Sequence, residues 1–177
     1  MKNTAIIIGM IFVFLILYFL QINFFCWFTI AGISPNLFVI FILFIGLFAG
    51  KRVGIPLGLV LGLCLDFFMN KKIGISGIML GVIGALGGFL DKNFSKDSRL
   101  TIILMTAVMT FIYEFGSYLL NYMIVSINFE IIAFLKIVSI EILYNIILVI
   151  ILYPLLQHIG YYIEEAFRGK KILTRYF

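Results

Sequence analysis

The sequence predicts an all-α integral membrane protein, built as a compact bundle of about six transmembrane helices. Of its 177 residues, 64% are hydrophobic and only 12% are charged, and the mean hydropathy is +1.22. A soluble domain carries about 25% charged residues, so this chain has too few to cover a water-exposed surface. No polar stretch is long enough to fold separately. We therefore expect one transmembrane domain over residues 1–160 and a basic amphiphilic cytoplasmic tail over residues 161–177.

Six apolar segments follow one another along the chain. A helix that spans a membrane needs about 20 residues. The segments cover residues 5–28, 37–50, 53–69, 73–90, 100–125 and 131–159. The first is too long for a signal peptide and has no small-residue cleavage site after it, so we interpret it as an uncleaved helix. The second and third are short, which predicts helices that are tilted, partly re-entrant or extended into the interface. Pro154 is expected to kink the end of the sixth.

Polar residues and glycines mark the breaks between these segments. Gly32 and Pro35 interrupt the chain after the first segment, and Lys51-Arg52 ends the second. Asn70-Lys71-Lys72 ends the third, and residues 91–99 form the longest loop. With the N-terminus inside, ten of the thirteen Lys and Arg residues fall on the cytoplasmic side and three on the outer side. This distribution predicts six spans with both termini cytoplasmic, and Lys71-Lys72 is its exception.

Glycines recur at helical spacing through the middle of the chain. Gly46, Gly50, Gly54, Gly58 and Gly62 are four residues apart, and a second series follows at Gly77, Gly81, Gly84 and Gly88. Because lipid gives helices no hydrophobic reason to associate, small residues promote packing by allowing close backbone approach. We therefore predict that the second, third and fourth helices form the tight centre of the bundle.

Three carboxylates and one asparagine inside the apolar segments are candidates for a functional role: Asp66, Glu114, Glu141 and Asn145. A charged side chain at the centre of a spanning helix costs about 2.5–3.5 kcal/mol on insertion scales, so these groups should face protein rather than lipid. Glu141 and Asn145 are four residues apart and share one helix face. Asp66 follows Gly62 on the glycine ridge and should point into the core or toward Lys71-Lys72. Three interpretations remain open: interhelical hydrogen bonding, a small-molecule or proton site, or contact with another membrane protein.

Motifs that would indicate enzyme chemistry or a cofactor are missing from the sequence. There is no phosphate-binding loop, no His-Glu-x-x-His pair and no Gly-x-Ser-x-Gly elbow. His158 is the only histidine, and Cys26 and Cys64 lie in apolar runs, where cysteine usually acts as a small hydrophobic residue. The net charge of +5 is explained by membrane topology and anionic lipid headgroups rather than by nucleic acid. We expect no enzymatic activity, no metal and no cofactor.

The order of several motifs resembles the rod shape-determining protein MreD family. The stretches that carry the resemblance are Ser34-Pro35-Asn36-Leu37, Gly50-Lys51-Arg52-Val53-Gly54, the helix from Gly58 to Asp66, Ile73-Gly74-Ile75-Ser76-Gly77, Glu141-Ile142-Leu143-Tyr144-Asn145 and Tyr153-Pro154-Leu155-Leu156. Together they cover roughly residues 34–160. Glu141 departs from the family pattern, which more often has proline or a neutral residue nearby.

The resemblance implies a non-enzymatic scaffold of the bacterial cell-elongation machinery in the cytoplasmic membrane. Its partners would be an MreC-type membrane protein, the MreB filament and the peptidoglycan polymerase complex. For partner binding we select five residues: Gly58, Gly62, Asp66, Glu141 and Asn145.

The family is also thought to be similar to the six-helix substrate-binding subunits of energy-coupling-factor vitamin transporters, which supplies an alternative function. That alternative predicts an outer pocket lined by aromatic residues such as Trp27, Phe28, Tyr118 and Tyr122. It also predicts a small-residue docking patch, for which Ala5-x3-Gly9 is a candidate.

Overall fold

A computed structural model describes residues 2–69, 74–93, 98–125 and 130–168 of the chain. Over these ranges the protein is helical, without a β-strand. Six α-helices run in chain order: α1 Lys2–Phe19, α2 Leu37–Ala49, α3 Lys51–Phe68, α4 Ile75–Asn93, α5 Arg99–Val125 and α6 Ile131–Arg168. A π-helical turn, Leu20–Phe24, extends α1.

Most helix boundaries agree with the sequence prediction, and three differ. The α-helical part of α1 ends at Phe19 rather than Phe28. Lys51 and Arg52, expected to end the second helix, form the first turn of α3 instead. The last helix continues through Pro154 to Arg168, well past the predicted end at Ile159, so the first half of the expected tail is helical. Lys71-Lys72 and residues 169–177 lie outside the described residues.

The second helix forms the centre of the bundle. Every residue of α2 is buried except Phe41, which is partly exposed, and α2 contacts each of the other five helices. A helix that is apolar on all sides is buried on all sides, and only hydrophobic residues and one glycine make up this segment. Its start is fixed by Asn36, whose side-chain oxygen accepts a hydrogen bond from the Val39 backbone N–H at 3.3 Å, as expected for an N-cap.

Glycines bring α2, α3 and α4 into backbone contact. An added Cβ at Gly46 would lie 2.7 Å from the Gly84 carbonyl oxygen, and one at Gly54 would lie 2.8 Å from the same atom. Real Cβ atoms essentially never approach another heavy atom this closely. Gly46, Gly54 and Gly84 therefore form a junction of three helices, which we call the glycine junction. The prediction that these helices make the tight centre is confirmed.

The rest of α3 packs along α4 in the same way. A Cβ at Gly62 would lie 2.5 Å from the Ser76 carbonyl oxygen, and one at Gly58 would clash with the Leu80 carbonyl. At the other end, Gly50 connects α2 to α3 without a loop. Its φ of 83° and ψ of 172° belong to a region that is essentially restricted to glycine.

The surface of the bundle is apolar over much of its area. Large exposed side chains occur on every side, among them Phe12 of α1, Phe67 of α3, Phe89 of α4 and Ile151 of α6. Two stretches are long and apolar enough to cross a membrane, Arg99–Ile124 and Ile131–Phe167, and three shorter apolar helical stretches accompany them. These features are those of a helical membrane protein.

The glycine junction can be tested with a single added methyl group. Gly84→Ala should lower the free energy of unfolding by about 1–3 kcal/mol, as overpacking does, because its Cβ would meet the Gly54 backbone, which cannot rotate away. Gly9→Ala is the matched control, since nothing lies within 4 Å of a Cβ there. Thermal unfolding in detergent is the measurement. Equal melting of the two variants would contradict the junction.

Candidate functional site

Polar side chains gather where the short helices end. The buried ones are Asp66 of α3, Ser76 of α4, Thr110 of α5 and Asn145 of α6, joined by Tyr113 of α5 and by Asn36 before α2. We call these six residues the polar cluster. It lies inside the bundle, at the start of α2 and α4 and near the end of α3.

Asp66 holds the beginning of α4. Its Oδ2 accepts hydrogen bonds from the backbone N–H groups of Gly74 at 2.8 Å and Ser76 at 3.0 Å, and its Oδ1 accepts from Ser76 at 3.3 Å. The first N–H groups of a helix have no partner inside that helix, and the helix dipole favours a negative charge there. A carboxylate that would be costly in lipid is thereby stabilised within the chain.

Asn145 holds the beginning of α2. Its Oδ1 accepts a hydrogen bond from the Asn36 backbone N–H at 2.8 Å, and its Nδ2 donates to the Thr110 hydroxyl at 2.9 Å. One amide thus connects α6, α5 and the start of α2. On the other side of the same helix end, Gln21 donates to the Pro35 carbonyl at 2.6 Å and accepts from the Leu37 N–H at 3.2 Å.

Tyr113 connects the two halves of the polar cluster. Its hydroxyl donates to the Ser76 hydroxyl at 3.4 Å, and it also interacts with the Asn36 side chain. Asp66 and Asn145, which are 79 positions apart in the sequence, are in this way linked through Ser76, Tyr113 and Asn36.

The five residues predicted to bind a partner are all buried inside the bundle. Gly58 and Gly62 pack against α4, and Asp66 and Asn145 belong to the polar cluster. Glu141 is 6% exposed, one turn before Asn145 on the same face of α6, as its spacing predicts. That these residues contact another protein stays a prediction. Glu114, which we did not select, is partly buried on α5.

Sequence reasoning missed the contributions of Gln21, Thr110 and Tyr113. Each is a polar residue in an apolar helical segment, and that is a usable signal, because polar groups at membrane depth usually bond across helices. Thr110 and Tyr113 also have the i,i+3 spacing that places them on one face of α5. Ser76, which the sequence singled out only as part of a family-like stretch, connects Asp66 and Tyr113.

The polar cluster fixes the positions of the helices relative to one another along their axes. α2 and α4 begin at the cluster and α3 ends near it, level with the middle of α5 and α6. From Tyr113 to Val125, α5 continues for about 18 Å at 1.5 Å per residue, and α6 covers about 21 Å between Ile131 and Asn145. We call residues 114–125 and 131–141 the projecting hairpin.

Aromatic contacts hold the two helices of the projecting hairpin together. The Phe134 ring lies 4.8 Å from that of Tyr118 and 6.3 Å from that of Phe115 between centroids. The Tyr118 hydroxyl accepts a hydrogen bond from the Glu130 backbone N–H at 2.9 Å. Other side chains of the hairpin are exposed, including Leu119, Met123 and Ile132.

The aromatic residues predicted for a vitamin pocket are not among the lining residues of the cavity between α1, α2 and α6. Trp27 is 87% exposed, Phe28 and Tyr122 are about half exposed, and Tyr118 packs on Phe134. The cavity has a volume of about 370 Å³, and none of these four residues lines it. Gly9 of the predicted docking patch is exposed, and the side chain of Ala5 lies outside the described residues. Among the described residues, no group of three His, Cys, Asp or Glu side chains is arranged to hold a metal.

Two substitutions separate the charge of Asp66 from its role as an acceptor. Asp66→Leu leaves two backbone N–H groups at the start of α4 without their acceptor, which should cost about 1–3 kcal/mol of stability. Asp66→Asn keeps one side-chain oxygen and should cost clearly less. Thermal unfolding in detergent measures both. If both variants melted at the wild-type temperature, Asp66 would not be fixing α4.

Comparison with known proteins agrees with this architecture at the level of family. Curated protein sequences and solved structures gave no significant match. The family model for the rod shape-determining protein MreD matches residues 1–160, which include all six residues of the polar cluster and the whole projecting hairpin. Because that match covers most of the chain, the protein belongs to the rod shape-determining protein MreD family, and its role is in rod shape determination.

Proposed function

We propose that this chain is a non-enzymatic membrane scaffold that binds an MreC-type membrane protein and so connects the MreB cytoskeleton to the peptidoglycan polymerase complex. Family membership supports the role in cell shape. The carrying observation is that the glycines and polar groups of the bundle are used inside it, while the ends of α5 and α6 beyond the polar cluster carry exposed apolar side chains.

The projecting hairpin is the proposed binding surface. Beyond the polar cluster several apolar side chains of α5 and α6 are exposed, although Gly116 still meets the Met79 side chain of α4 and Val138 is buried. Met123 is 72% exposed and Ile132 86% exposed. These side chains stand on two helices that the Tyr118–Phe134 contact holds together. Such a rigid surface loses little conformational entropy when a partner binds, which favours binding.

Orientation in the membrane makes this surface suitable for its proposed role. The distribution of Lys and Arg predicts that both termini are cytoplasmic. The turn between α5 and α6 then lies on the outer side, where peptidoglycan is assembled. Lys51 and Arg52, at the opposite end of the bundle and exposed, would lie at the inner headgroup layer, nearer the cytoskeleton.

Four of the five residues selected from the sequence would then act on partner binding indirectly, whereas the fifth, Glu141, belongs to the projecting hairpin itself. Asp66 and Asn145 fix the ends of α4 and α2 against α5 and α6, which determines how far the hairpin projects. Gly58 and Gly62 hold α3 against α4. We propose that they position the binding surface rather than form it.

A double substitution on the hairpin tests the proposed surface. Leu119→Ala with Met123→Ala should reduce co-purification with an MreC-type protein by at least fivefold, since both side chains are exposed on the projecting part of α5. Val60→Ala with Phe67→Ala is the matched control, because these exposed residues lie on α3. The control should bind as the wild type does. The hairpin variant should also fail to restore normal cell width in cells depleted of the wild-type protein.

Two results would contradict this proposal. Equal loss of binding in both double variants would mean that the contact is not confined to the hairpin. Loss of binding in Asp66→Asn with unchanged thermal stability would favour the glycine and aspartate ridge of α3 as the direct contact.

A further inference from the structure

The cavity between α1, α2 and α6 is lined by apolar residues alone. α1 and the turn after it contribute residues between Val13 and Phe25, α2 contributes Leu37 to Ile45, and α6 contributes Leu148 to Ile163. All eighteen lining residues are apolar, and no charged, amide or hydroxyl side chain is among them. The volume of about 370 Å³ is within the range of specific small-molecule pockets.

α1 borders the cavity and contacts both α2 and α6. The Phe14 ring packs on Phe38 of α2, and the Tyr18 ring packs on Phe68 of α3, at centroid distances of 5.4 Å and 5.3 Å. Gln21 then fixes the end of α1 to the start of α2. Leu17 of α1 and Leu152 and Leu156 of α6 line the cavity.

This lining restricts what can bind. A polar ligand would lose its hydrogen bonds to water and find no replacement, at a cost of several kcal/mol per group, and apolar cavities of this kind stay dry. A partner helix is too large, because one turn, about 10 Å wide and 5.4 Å long, already has about the volume of the cavity. An apolar cavity of about 150 Å³ holds benzene, so at the same ratio this cavity holds about 15 carbons.

The mouth of the cavity faces the same surroundings as the outer surface of the helices. Ile16 and Phe24 on one edge, and Leu155 and Ile159 on the other, line the cavity and are each 41–55% exposed. In a bilayer the molecules beside such a surface are lipid chains. A chain that enters gains dispersion contacts on all sides, which an empty cavity forfeits.

From the uncharged lining, the volume and the apolar mouth, we propose that this cavity binds one acyl chain of a membrane phospholipid. The bound chain fills the space between α1 and α6 and completes the packing of α2 on its least covered side. The site is independent of the projecting hairpin and of any partner bound there.

Native mass spectrometry of the full-length protein in detergent tests this proposal. After purification from membranes and addition of palmitoyl-oleoyl phosphatidylglycerol, the wild type should keep one phospholipid per chain at energies that remove the detergent. Leu17→Trp fills the cavity from α1 and should lower the retained phospholipid at least fivefold. Leu15→Trp is the control, because Leu15 is exposed on the same helix and does not line the cavity. It should retain phospholipid as the wild type does.

A crosslinking measurement on the wild-type chain does not depend on any variant folding. A phosphatidylglycerol with a diazirine on its acyl chain should label Leu152 and Leu156, which line the cavity, more than Ile150 and Ile151, which face outward on the same helix. Unlabelled phosphatidylglycerol should compete. Equal labelling of the two pairs, equal retention in the two tryptophan variants, or recovery of a peptide or a polar small molecule in place of phospholipid would overturn the proposal.

Discussion

Backbone contact at the glycine junction is the interaction on which the rest of this structure depends. In lipid there is little hydrophobic gain from bringing two apolar helices together, so close packing has to supply the attraction. Gly46, Gly54 and Gly84 have no side chains, so backbone carbonyl oxygens of neighbouring helices occupy the space that side chains would fill. Three helices meet there in this way. Once α2 is held against α3 and α4 in this way, α5, α6 and α1 can surround it, and every residue of α2 except Phe41 becomes part of the core.

Polar groups add direction to this packing. The glycine stripes alone would permit sliding along the helix axes, since the glycines of each stripe recur every three or four residues. Asp66 on the first N–H groups of α4 and Asn145 on the N–H of Asn36 allow only one register. The same contacts satisfy helix ends that have no water to bond with. Stability and register therefore come from different residue types: small residues provide close contact, and a few polar residues provide position.

Much of this could be predicted from the sequence, and the exceptions have physical reasons. Glycine spacing identified the three central helices, and the depth of Asp66 and Asn145 in apolar segments indicated that they face protein. The atoms that they meet could not be predicted, because Gly74 and Asn36 come near them only through tertiary packing. The end of α6 was predicted too early because the apolar run ends near Ile159, whereas the helix continues through the more polar residues up to Arg168. The projecting hairpin depends on how far each helix extends relative to its neighbours, and the apolar cavity depends on where α1 packs. Neither can be predicted from a local sequence pattern.

The central position of α2 also has a consequence for biosynthesis. Ribosomes deliver this helix early, yet Phe48 finds its neighbour Gly160, and Asn36 its acceptor on Asn145, only when the last helix has been made. Until then one side of α2 and its first free N–H remain uncovered. A chain truncated before α6 would expose these groups to the insertion and proteolysis machinery, so completion of synthesis and completion of the core coincide in this protein.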